Sequence, residues 1–217
     1  LSKTLAAVHF GVAAKKIRPV ENARKDTVAR TGSWAFDVAE LDLDNIHLRY
    51  ADDNKKPVKQ GIDYNHLDVN HLVVRASALH ALSTEYSGNI SLIAFDEKSG
   101  FVLKKLSTQA AYNNKGAQLK NLIIQTIHSE IRSQSAIHYS SAETLRTHPG
   151  DVQADLLFDH ARIAVQVVLL FVPDFSNRLK GNERDVLTLN GKLNGKLKDL
   201  HIPYLEMAGI GNTSLLA

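Results

Sequence analysis

The sequence predicts an all-β fold, a long curved antiparallel sheet with a short N-terminal helix, and three observations carry that expectation. The first is alternation. Within residues 185–202, Leu187, Leu189, Gly191, Leu193, Gly195 and Leu197 fall on one side, and Val186, Thr188, Asn190, Lys192, Asn194 and Lys196 on the other. A period of two over such a length is the pattern of a half-buried strand. The second is a recurring break in the alternation. Leu197 and Leu200 are three apart, so a regular strand would point them to opposite faces. An extra residue at Lys198-Asp199, as in a β-bulge, brings both to one face and bends the sheet. The third is turn chemistry, strongest at Asn113-Asn114-Lys115-Gly116, which reads as a hairpin.

The broken alternation has a grammar: apolar, any residue, Asn, Asp or His, apolar, any residue, apolar. It recurs at 43–48, 69–74, 119–124 and 197–202, with a weaker copy at 103–106. Asn, Asp and His tolerate positive φ better than most residues. Asn45, Asn121 and Asp199 are therefore predicted to sit at kinks where two apolar residues three apart share a face.

Taken in order, residues 1–17 are Ala-rich. Ser2 sits at an N-cap position, Leu1, Leu5, Val8 and Val12 lie at helical spacing, and Pro19 stops the pattern, which predicts a packing or capping helix. Residues 18–32 are a polar connector, so 1–32 form one unit and 33–217 the sheet. Trp34, Phe36 and Val38 open the β region, which continues to Tyr50, and a charged turn follows at 52–57. Strands are expected over 62–79, 83–95, 101–112, 117–127 and 131–139. Residues 140–151 form a loop, and 152–158 a further strand. Residues 163–171 are a strand or a short helix ending before Pro173. A polar loop at 174–185 leads to the last strands, 186–204 and 205–216.

Composition narrows the function. The 217 residues carry a net charge of +3 without a run of Lys or Arg. Nucleic acid is not implied, whereas weak attraction to anionic lipid headgroups is allowed. The absence of cysteine excludes disulfides and Cys-based metal sites. The ten histidines form no HxH or HExxH motif and read as exposed sheet residues, not metal ligands. Ser33, Ser140 and Ser141 lack a triad context, and Gly209-Ile210-Gly211 lacks the helix a phosphate loop needs. The chain thus reads as non-enzymatic, with no cofactor. It begins with Leu1, and Met207 is its sole methionine, so it reads as an excerpt of a longer chain, which leaves room for a signal peptide or a membrane anchor outside it. Its longest apolar run, 163–173, is too short to cross a bilayer as a helix.

Four stretches resemble the TamB-like proteins (AsmA superfamily) of Bacteroidota: Gly61-Ile62-Asp63-Tyr64-Asn65-His66-Leu67, Lys98-Ser99-Gly100-Phe101-Val102-Leu103-Lys104-Lys105-Leu106, the segment 163–175 ending Phe171-Val172-Pro173-Asp174-Phe175, and 189–200. The resemblance covers about residues 34–217 and keeps the order of segments. It implies a β-taco-like groove in a periplasmic bridge anchored in the inner membrane. It also implies phospholipid transport to the outer membrane, and a TamA-like outer-membrane barrel as partner in outer-membrane protein assembly.

The apolar phases place Leu187, Leu189, Leu193 and Leu197 on one concave surface with Ile90, Leu92, Leu122 and Ile124. Trp34, Phe36, Leu48, Leu72 and Val74 extend it. Gly88, Gly191 and Gly195 lie on the same phase and are expected to leave room there. Under the resemblance this surface binds phospholipid acyl chains. The second reading is an assembly module, the same sheet with its apolar face closed by packing and an edge strand offered to client β-strands.

Overall fold

The computed structural model describes residues 9–10, 13–19, 35–141, 143, 147–211 and 213–216. Twelve strand segments among them form one antiparallel sheet: β1 (His9–Phe10), β2 (Ala13–Pro19), β3 (Ala35–Ala51), β4 (His66–Leu82), β5 (Tyr86–Glu97), β6 (Val102–Asn113), β7 (Gly116–Thr126), β8 (Glu130–His138), β9 (Gln153–Ala164), β10 (Val186–Lys196), β11 (Asp199–Ala208) and β12 (Ser214–Leu216). From β3 to β12 each strand pairs with its successor, and β1 and β2 both pair with β3. The first and last strands do not pair, so the sheet is open. A helix, α1 (Val165–Phe171), interrupts the meander between β9 and β10. The strands β3 and β4 run 17 residues each, three times the usual length.

Three expectations change here. The N-terminal helix is replaced, where the chain is described, by strand: β2 pairs with β3 from Ala13 opposite Asp44 to Pro19 opposite Val38. Apart from β1 and β2, residues 1–34, Trp34 included, lie outside the described residues. The strand expected over 152–158 runs on through Asp159-His160 to Ala164, and of the two readings of 163–171 the short helix holds from Val165 to Phe171, before Pro173. The stretch 186–204 is not one bulged strand either. Leu197 and Lys198 form a two-residue turn between β10 and β11, with Lys196 opposite Asp199.

The kinks themselves follow the residue chemistry. Among the described residues, five non-glycine residues have positive φ, all inside strands: Asn45 (51°), His71 (52°), Ala78 (49°), Asn121 (52°) and His160 (47°). Ladder register slips at each kink from His71 to His160, and again between Leu43 and Ile46. Directly opposed residues share a face, so the register shows what the slips do. Leu119 opposes Ser135 and Leu122 opposes Ser133, which puts both leucines on one face across Asn121. Phe158 and Ala161 do the same across His160, opposite Gly191 and Leu189. Each kink costs ladder hydrogen bonds, and hydroxyls recover some of them. Thr108 Oγ1 donates to the Lys120 carbonyl (3.0 Å) beside Asn121, and Ser91 Oγ donates to the Arg75 carbonyl (3.0 Å).

Candidate functional site

Because the slips keep apolar residues in phase, one face of the sheet becomes a continuous apolar surface. Its rows can be followed from strand to strand. Leu43 opposes Val74, Val74 opposes Ile93, Ile93 opposes Leu106, Leu106 opposes Ile124, and Ile124 opposes Ile131. A second row runs Leu119, Ser135, Leu156, Leu193 across β7 to β10. A third runs Leu122, Ser133, Phe158, Gly191, Leu205 across β7 to β11. At 4.7–4.9 Å per strand, the surface from β3 to β11 extends roughly 40 Å.

This face is sheltered yet not closed. Buried hydrophobic residues on the strands, such as Val38, Ile46, Val69, Ala76 and Leu103, lie on it, with Ala164 at the end of β9 the exception. No second sheet covers it among the described residues, so the shelter comes from the curl of the sheet and from α1 at one end. Among the described residues the most completely buried large side chains are Val152 and Val165, neither of them on a strand. Most of the leucines and isoleucines on the face are half-buried. A sandwich core would bury them fully.

The residues expected to line the groove fall as follows. Leu48, Leu72, Val74, Ile90, Leu122, Ile124, Leu187, Leu189 and Leu193 all lie on the apolar face, and Phe36 lies at its exposed margin opposite Ala81. Leu92 does not. It opposes Arg75 on the polar face, because β5 slips between Ile90 and Ile93. Ile93 takes the expected place, and the three-residue spacing from Ile90 was its signal. Leu197 leaves the face because it sits in the hairpin turn, 47 % exposed. The alternation also passed over Phe158, Ala161, Leu205 and Met207, which the register adds.

Gly191 and Gly195 do not hold the surface open, whereas Gly88 lines an apolar hollow on it even though Leu79 crowds its Cβ position. A Cβ at Gly88 would meet Leu79 Cδ2 at 2.5 Å, and one at Gly191 would meet Leu205 Cδ1 at 2.9 Å. Neighbouring leucines crowd both positions. Gly195 has φ +121° and lies against the Asp199 carbonyl, so it serves the hairpin. An apolar hollow of about 290 Å³ remains on this face, among Leu79, Tyr86, Ile90, Ala110, Tyr112 and Leu119.

Polar groups on the apolar face are partnered. Glu97 is buried and accepts the Ser99 N–H (2.7 Å); the Ser133 and Ser135 hydroxyls bond each other (2.9 Å). The opposite face carries charges in cross-strand pairs: His47 with Asp68 (2.7 Å), His71 with Asp96 (2.9 Å), and Arg75 with Asp42 (3.6 Å). The His47 hydrogen bond holds the Asp68 carboxyl below its ordinary range. No group of three or more His, Asp or Glu converges on a metal-sized site among the described residues.

No family model, curated protein or solved structure matches this chain.

Proposed function

We propose that this chain is a conduit segment, a non-enzymatic stretch of periplasmic bridge whose apolar face carries phospholipid acyl chains between the inner and outer membranes. One observation carries the reading: an apolar surface continuous over nine strands, sheltered by curvature and, among the described residues, left open along its length. An acyl chain in water loses about 0.8 kcal/mol for each exposed CH₂. A trough of half-buried leucines and isoleucines lowers that barrier along its whole length. The resemblance to TamB-like proteins supports the location and a TamA-like barrel as partner.

Leu193→Asp tests the proposal. Leu193 is half-buried opposite Leu156, where water reaches a carboxylate. The expected result is near-unchanged thermal unfolding with loss of co-purifying phospholipid, read by mass spectrometry after purification in mild detergent. Unchanged folding with unchanged lipid rejects the conduit.

The assembly reading keeps one specific support. β12 pairs only with Glu206, Met207 and Ala208, so the rest of β11 has a free edge among the described residues, with Leu200, Ile202 and Tyr204 exposed beside it. Such an edge accepts an added strand, although Pro203 removes one donor from it.

A further inference from the structure

Three of the stretches that carry the family resemblance meet at one end of the sheet, and together they build a surface that the conduit does not use. Gly61, with φ +78°, lets the β3–β4 connection run against α1: a Cβ there would lie 2.6 Å from the Leu170 carbonyl oxygen. Next to it, the Ile62 N–H donates to that same oxygen (2.8 Å). From the β5–β6 turn, Phe101 meets Phe171 edge to face at 5.1 Å. Asp63 ties the connection together. Burial pushes its carboxyl up, but the Val58 and Asn65 N–H groups and the His66 ring outweigh this and hold it low.

The outside of this clasp is apolar and cationic at once. Val58, Phe171, Val172 and Phe175 are each 38 to 49 % exposed. Lys55, Lys56 and Lys59 flank Val58, and Arg178, Lys180 and Arg184 follow Phe175; all six are exposed. The charges are used unequally. Of the acids in these segments, Asp52, Asp63, Glu183 and Asp185 are turned into hydrogen bonds with Asn54, Val58, Gly181 and Gly211, while Asp53 and Asp174 stand exposed among the cations and Lys180 and Arg184 also act on Glu183 from a distance. None of the six cations is in an ion pair among the described residues, and Arg178 lies over the Phe175 ring at 5.5 Å.

We propose that this clasp is a membrane-docking surface that sits on an anionic bilayer, with Phe175, Val172 and Val58 entering the interface and the lysines meeting headgroup phosphates. Aromatic and aliphatic tips interleaved with long cationic side chains suit the boundary between headgroup and acyl chain. Each Lys near an anionic surface contributes about a fivefold gain in binding. The docking does not depend on lipid moving through the trough.

The test is co-sedimentation with phosphatidylcholine vesicles, with and without phosphatidylglycerol. The chain is expected to bind only the anionic vesicles, and less with rising salt. Lys55→Glu/Lys56→Glu is expected to lower binding by tenfold or more, on the order of fivefold for each Lys removed. Phe175→Ser is expected to lower it several-fold, while Tyr204→Ser, a similarly exposed aromatic on β11, leaves it unchanged. Circular dichroism and thermal melts confirm that each variant folds; should Phe175→Ser not fold, Val58→Ser takes its place. No binding to anionic vesicles, or equal loss with Tyr204→Ser, overturns the proposal. Binding that ignores the Phe175 and Val58 changes overturns the insertion of apolar side chains.

Discussion

Ile46 and His47 are neighbours on β3 that belong to two different environments. Ile46 points to the apolar face, opposes Leu72 and is 3 % exposed. His47 points to the polar face and holds Asp68 across the strand boundary, with both side chains wet. The contrast extends over the sheet: one face carries the burial, the other carries ion pairs that water screens. Stability should therefore be set by the apolar face and by the kinks that keep it in phase. The charged face should tune it only slightly.

The largest effect should come from Ile46→Asp. It places a carboxylate without a partner in a fully protected part of the face and is expected to cost about 3–5 kcal/mol, enough to unfold the chain. Urea denaturation checks it, and a variant that melts like the parent would break the contrast between faces. The kinks come next. Asn121→Val forces a β-branched residue into left-handed backbone and should cost about 1–2 kcal/mol, whereas Asn121→Gly should be tolerated. At Ala78 the same geometry is held by a residue that gains nothing from it. Ala78→Gly should raise stability by about 0.5 kcal/mol, the relief of strain exceeding the added chain entropy.

The smallest effect should be on the polar face. His47→Ala removes the hydrogen bond that depresses Asp68 and should cost less than about 1 kcal/mol, because the pair is exposed. Its sign with pH is fixed. A carboxylate whose folded pKa is lowered adds stability above its unfolded value, near about 4, and that stability is lost as acid protonates the folded form. Parent and variant should therefore differ in urea midpoint at about pH 5 and converge in strong acid. A difference that persists in acid would assign the effect to packing instead.

Two copies of the same grammar show where sequence reasoning holds and where it stops. Leu119-Lys120-Asn121-Leu122 kinks within β7, as expected, and so does Leu43-Asp44-Asn45-Ile46 in β3. Leu197-Lys198-Asp199-Leu200 reverses the chain instead. The difference lies opposite the segment: the Leu197 N–H donates to the Val152 carbonyl (3.0 Å), the Lys198 N–H to the Gly150 carbonyl (3.1 Å), and Lys198 Nζ reaches Asp151. The turn at 149–151 captures this copy, and nothing within 197–202 announces that capture. Phe158-Asp159-His160-Ala161 fits the same grammar and kinks within β9. Ala78 fits no residue preference at all, and its kink coincides with the register slip between β4 and β5.

By itself, the sequence determined the β class, the hairpin after Asn113, the kinks at Asn45 and Asn121, and most members of the apolar face. These depend on properties local to the chain: alternation of apolar side chains and a residue's tolerance of positive φ. Tertiary structure alone decided that Ile93 and not Leu92 joins that face, that residues 197–198 turn, that leucines crowd Gly88 and Gly191, and that three distant stretches close into one clasp. Each of these depends on which backbone stands opposite, and a one-residue slip in a distant partner strand changes it without any change in the local sequence.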